Sequence, residues 1–124
     1  MNETEVEALL ARSEECLEAG RDNAAAGRWN RAASDLYYAA FNAIRAVLLS
    51  RGLEARSHAQ VRSEFHKHLV RPGLLSRDDG RLYGRLFDLR QLGDYVPGRS
   101  LSAEDLGPLL EGAPGLLGRL RRLI

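Results

Sequence analysis

The stretch from about Asn30 to Ser50 constrains the fold most. Leu36, Tyr37, Ala40, Phe41, Ile44, Val47 and Leu48 recur there at three- and four-residue steps, the spacing of a broad apolar helix face rather than a strand. Its many alanines suit close helix–helix contact, and Gly52 ends it. A face this wide has to be buried against other helices.

The rest of the chain reads the same way. Val6, Leu9, Leu10, Cys16 and Leu17 set a helix from about Glu3 to Gly27, where glycine offers a stop. Ser57 with Gln60 three residues on is a capping box, followed by Val61, Phe65 and Leu69 on one face until Pro72 and Gly73. A fourth helix starts near Ser76, with Asp78 and Asp79 at the positive end of its dipole, and continues through Leu82, Leu86 and Leu89 to Val96-Pro97-Gly98. Ser102, Glu104 and Asp105 open a last leucine-rich segment in which Pro108 and Pro114 predict a kinked or broken helix over 99–124. No segment alternates with period two. The expected fold is all-α, one domain over 1–124, an antiparallel bundle of four to five helices. Apolar positions in excess of one small core predict a twofold dimer.

Composition narrows the function classes. At 124 residues with a formal net charge of +1, the chain has no overall field for nucleic acid. One cysteine, Cys16, excludes an internal disulfide and a thiolate metal cluster, and its place on an apolar stripe predicts a buried thiol. No apolar run has the length of a membrane span and the first residues are acidic, so a cytoplasmic protein is expected. His66 and His68, two apart on a helix, point in different directions and cannot readily share a metal; no metal and no cofactor is expected.

One stretch concentrates chemistry. In Leu86-Phe87-Asp88-Leu89-Arg90-Gln91-Leu92-Gly93-Asp94-Tyr95, a helix places Arg90 and Asp94 one turn apart with Tyr95 beside them. The guanidinium suits a phosphate, the carboxylate can orient it or accept a proton, and the phenol can hydrogen-bond or stack. Spacing alone fits a surface ion pair with a capping tyrosine equally simply. His58, at a helix start, is the one histidine free to face a neighbouring helix end as a general acid or base. Asp35, Tyr37 and Tyr38 lie in the apolar second helix; one tyrosine belongs in the core, and the other, about 100° around, reaches a dimer or ligand surface.

The run Arg31-Ala32-Ala33-Ser34-Asp35-Leu36-Tyr37-Tyr38-Ala39-Ala40-Phe41-Asn42-Ala43 resembles the second helix of HEPN domains, small helical domains found beside minimal nucleotidyltransferases. The likeness continues through Leu48 to Leu53, Arg56-Ser57-His58, Phe65, and Phe87-Asp88-Leu89-Arg90-Gln91 with Asp94-Tyr95; it is strongest over 3–95. The resemblance implies a twofold dimer with a polar cleft at its interface, and for many members a metal-independent endoribonuclease acting as the toxin of a toxin–antitoxin pair. The family's catalytic motif is an arginine followed four to six residues later by a histidine, supplied by both subunits. Arg90 matches the arginine, but Tyr95, Val96 and Pro97 occupy the positions open to the histidine. A phenol of pKa about 10 is a poor base at neutral pH, and His58 is the candidate to supply the missing imidazole. The resemblance thus implies a toxin-like protein acting on RNA around Arg90, with catalytic candidates Arg90, Asp94, Tyr95 and His58. The alternative it leaves open is a non-catalytic module that binds a nucleotide or RNA and docks onto a nucleotidyltransferase.

Overall fold

The apolar central stretch folds as α2 (Trp29–Ser50), and its burial on nearly every side makes it the axis of the molecule. Around it the computed structural model, which describes residues 2–98 and 100–124, places α1 (Glu3–Ala25), α3 (His58–Phe65), α4 (Arg77–Tyr95) and α5 (Ala103–Arg121). The described residues contain no strand. α3 runs on into one π-helical turn, His66–Val70, before the chain reverses.

α1 lies antiparallel along α2. Ser13 donates its hydroxyl proton to the Ala39 carbonyl at 2.7 Å, and Asn23 donates to Asp35 at 2.7 Å. Gly20 makes the approach possible, since a Cβ there would stand 3.0 Å from Leu36 Cδ2. Cys16 is half-buried in this seam, and burial, reinforced by Asp35 and Glu15, pushes its thiol pKa up.

α4 packs antiparallel to α2 on another side, with Tyr83 stacked on Tyr37 at 5.6 Å between ring centroids. α5 runs parallel to α2: the Leu101 N–H donates to Asn30 at one end, and Arg51 donates to the Leu123 carbonyl at the other. Leu36, Ile44, Leu48, Phe65, Leu86 and Leu106 are fully buried where these helices meet. Truncating one such leucine to alanine costs about 2–5 kcal/mol.

Three helices start as their sequences predict. Ser57 with Gln60, Ser76 with Asp79 and Ser102 with Asp105 each form a reciprocal capping box. Of the two forms expected for the last helix, kinked or broken, the structure rules out the break. α5 is unbroken from Ala103 to Arg121 despite Pro108 and Pro114 within it. Each proline costs about 3 kcal/mol in a helix interior. Leu106, Leu109, Ala113, Leu116, Leu117 and Leu120 are nonetheless all buried along one face, and that burial holds the helix together.

Candidate functional site around Arg90

α4 remains helical to Tyr95, so Arg90, Asp94 and Tyr95 share one corner as their spacing implies. The corner is not a surface ion pair, however. Arg90 is only 7% exposed, wedged against α2 with its guanidinium carbon 5.2 Å from the Tyr37 ring centre and 5.1 Å from that of Tyr38. The Tyr95 ring covers a third side at 5.3 Å, and its hydroxyl accepts from Arg90 Nη2 at 2.8 Å.

Charge compensation is incomplete. Asp94 Oδ2 lies 3.4 Å from Arg90 Nε, within ion-pair range but off the hydrogen-bonding direction, so the buried Nε–H has no acceptor. A buried guanidinium normally has its donors taken up by a carboxylate fork. Here ring faces, one phenol and one partly exposed carboxylate stand in for it. Arg90 thus keeps one buried donor without an acceptor among the described residues.

His58, at the first position of α3, joins this corner from the other side. Its ring packs among Tyr37, Tyr38 and Phe41, with the Phe41 centroid at 5.0 Å. Nδ1 is engaged by the Tyr37 hydroxyl at 2.8 Å, which in turn meets the Tyr83 hydroxyl at 3.3 Å. Both tyrosines are fully buried. An unsatisfied buried donor is costly, so the order that uses every proton runs from Tyr83 to Tyr37 to Nδ1. In that order the neutral imidazole carries its proton on Nε2, the nitrogen left to the cleft. Burial, then the neighbouring Arg90 cation, lowers the His58 pKa, so the ring is neutral at pH 7. Burial raises the pKa of Tyr37 and Tyr83, which keeps both hydroxyls protonated.

His58, Phe87, Arg90, Gln91 and Tyr95 line an open cleft of about 260 Å³. A larger one, about 520 Å³, lies between the start of α1 and the end of α2, with Glu3 and Glu7 as its charged side chains among the described residues. Size and chemistry separate here, and the smaller cleft holds the reactive groups.

Of the residues singled out in the sequence, Arg90, Asp94, Tyr95, His58, Tyr37 and Tyr38 come together; Tyr37 is the core tyrosine and Tyr38 the half-buried one. Asp35 is not brought to the cleft, because it faces α1 and accepts from Asn23. Sequence reasoning missed Tyr83. Its spacing from Phe87 and Arg90 along one helix face was the available signal. His66 and His68 point apart, His66 toward Gly80 and His68 into a 2.8 Å contact with Glu64. The described residues contain no group of three histidine, cysteine or acidic side chains able to hold a metal.

The model of the HEPN domain family matches residues 6–123. The chain belongs to the HEPN family. A UPF0332 protein of Thermotoga maritima is 31% identical over the full chain and 96% of its own length. Two proteins of Methanocaldococcus jannaschii, each named Putative toxin, are similar as well. One is 29% identical over 81% of this chain and 75% of its own length, the other 23% over 97% and 82%. Within this HEPN domain, Arg90 is a buried arginine, and Tyr95, five residues on, covers its guanidinium.

Proposed function

We propose that this HEPN protein is the toxin-like component of a toxin–antitoxin pair and acts on RNA at the cleft centred on Arg90. The observation that carries this reading is a buried guanidinium, one of whose donors lacks an acceptor among the described residues, lining the same cleft as a neutral imidazole. A phosphodiester supplies the missing acceptors. Arg90 then stabilises charge on the phosphorus oxygens, and His58 Nε2–H donates to the same group. In the other neutral tautomer, Nδ1 donates to Tyr37 and Nε2 is free to take the 2′-hydroxyl proton as that oxygen attacks the phosphate; the P–O2′ bond forms as the P–O5′ bond breaks, leaving a 2′,3′-cyclic phosphate and a 5′-oxygen that takes up a proton from water. Asp94 orients Arg90, and Tyr95, 61% exposed, offers a stacking face for a base.

The cleft is open on one side, which fits its completion by a second copy of the chain, and the family context fits a nucleotidyltransferase as antitoxin. An RNA substrate implies a cytoplasmic protein. No helix among the described residues is long and apolar enough to cross a membrane. The test is controlled induction in a bacterial host of the parent and of Arg90→Ala at equal soluble expression, with RNA ends mapped afterwards. Growth arrest and new 2′,3′-cyclic phosphate ends with the parent alone are expected. Normal growth and intact RNA with both would overturn the catalytic reading and leave a binding module.

A further inference from the structure

A second cleft, about 370 Å³, opens on the same side of α4 as the Arg90 cleft, between its first half and the π-helical turn. Its charged lining is wholly basic: Arg62, Arg77 and Arg81, with His66 beside them. Arg81 is paired to Asp78. Neither Arg62 nor Arg77 has a carboxylate within ion-pair distance among the described residues, so two cations here are left for an external anion. Burial, then Arg62 and Arg71, lowers the His66 pKa, so that ring adds a donor rather than a charge.

The two clefts meet where Arg62 touches Phe87. The Arg62 guanidinium lies 5.0 Å over the Phe87 ring, and Phe87 lines the Arg90 cleft while Arg62 lines the basic one. His58, Arg62 and His66 are spaced by four along one edge, and Arg77, Gly80, Gly84, Phe87 and Gln91 follow the facing edge of α4. Gly84 lies between them, and a Cβ there would sit 3.8 Å from Arg62 Nη2, in ordinary contact. From Arg81 to Arg90 the edge runs ~14 Å at the helical rise per residue. That is room for more than one nucleotide.

We propose that this groove is a second phosphodiester subsite, holding the adjoining nucleotides of a single-stranded RNA whose reacting phosphate lies at Arg90. The inference rests on the RNA reading above and adds to it the form of the substrate: a strand rather than a mononucleotide. A groove between two helices admits one backbone. The Tyr95 ring, largely exposed, stands beside it for an unpaired base, and arginines on a strand's phosphates are the usual electrostatic complement.

The test measures binding of a short 2′-O-methyl oligoribonucleotide, which cannot be cleaved by its own 2′-hydroxyl, and of uridine 3′-monophosphate across a salt series. Proteins compared are the parent, Arg90→Met, Arg77→Gln, Arg62→Gln/Arg77→Gln and Gly84→Asp. Arg77→Gln alters only an exposed side chain, and Gly84→Asp sets a carboxylate beside Arg62 without removing any packing atom. The double variant is expected to bind the oligomer about 10-fold more weakly. Its slope of log affinity against log salt should flatten by roughly 0.7 for each phosphate that an arginine no longer neutralises. Gly84→Asp should follow the double variant, Arg77→Gln should show the change of a single phosphate, and mononucleotide binding should stay at the parental level in all three. Oligomer binding and salt slope equal to the parent's in these variants, with Arg90→Met still defective, would overturn the subsite alone. An equal fall in mononucleotide binding would show that the groove is not a separate subsite. No oligomer binding by the parent would overturn the RNA reading itself.

Discussion

The two ends of α4 each hold an arginine–carboxylate pair, and they are built in opposite ways. At the start of the helix the carboxylate is buried. Asp79, 3% exposed, accepts from Arg119 Nε at 3.0 and 3.2 Å and from Nη2 at 2.6 Å, and closes the Ser76 capping box. At the far end the guanidinium is buried instead. Arg90 has one off-axis carboxylate, a phenol and three ring faces, and one of its donors is unanswered. The first pair ties α4 to α5 with every strong acceptor in use. The second leaves one buried donor over, on a residue that lines a cleft. A satisfied buried charge holds a fold; an unsatisfied one at an opening waits for a ligand.

The comparison breaks most visibly at the satisfied end. Asp79→Asn removes the charge from a buried, forked pair and is expected to lower stability by about 2–3 kcal/mol, the lower part of the range because Arg119 is partly exposed. Chemical denaturation reads this directly, and binding of RNA by the fraction still folded should be unchanged. Arg90→Met, by contrast, removes an under-compensated charge while keeping an unbranched apolar stem. Its stability should stay within about 1 kcal/mol of the parent.

Acid separates the same two ends by pH. Burial alone would raise the Asp79 carboxyl, but the Arg119 fork and the Ser76 N–H and hydroxyl bring its pKa below the ordinary 3.8. Its contribution to stability is thus complete above that value and lost as pH falls through the lower, folded value. His58 and His66 have folded pKa values below the ordinary 6.5. The unfolded chain therefore binds more protons below about pH 6.5, and stability falls as pH drops from there. Melting temperature against pH should decline first below about 6.5 and again below about 4. His58→Gln should flatten the first step only, and Asp79→Asn the second only.

The smallest expected effect is the most local. In nitrogen-15 spectra of the imidazoles, His58 should show the Nε2–H tautomer. Tyr83→Phe removes the one other hydroxyl that meets Tyr37 and leaves Nδ1 as the acceptor for the Tyr37 proton, so the Nε2–H form should persist in that variant. An Nδ1–H ring in the parent would reverse the donor order of the two tyrosines.

Much of this was legible in the sequence because it depends on local pattern. Helix starts at Ser57, Ser76 and Ser102 follow from side chains that reach only three residues. The central helix follows from the width of its apolar face, and the Arg90-Asp94-Tyr95 corner from one helical turn. What escaped depends on which faces meet. The Tyr83–Tyr37–His58 chain joins three helices, so neither Tyr83's place in it nor Asp35's turn toward α1 is written in any one segment. The intact α5 escaped for a related reason: local propensity counts the cost of Pro108 and Pro114, whereas the burial that offsets it comes from the rest of the bundle.

The most direct measurement is thermal unfolding and oligoribonucleotide binding on the same preparation of Arg90→Met, beside the parent. A melting temperature within about 4 °C of the parent's, with binding abolished and no rise in melting temperature on adding the oligomer, is the expected result. A large fall in melting temperature, with the folded remainder binding RNA as the parent does, would make Arg90 a structural residue and move the functional site elsewhere.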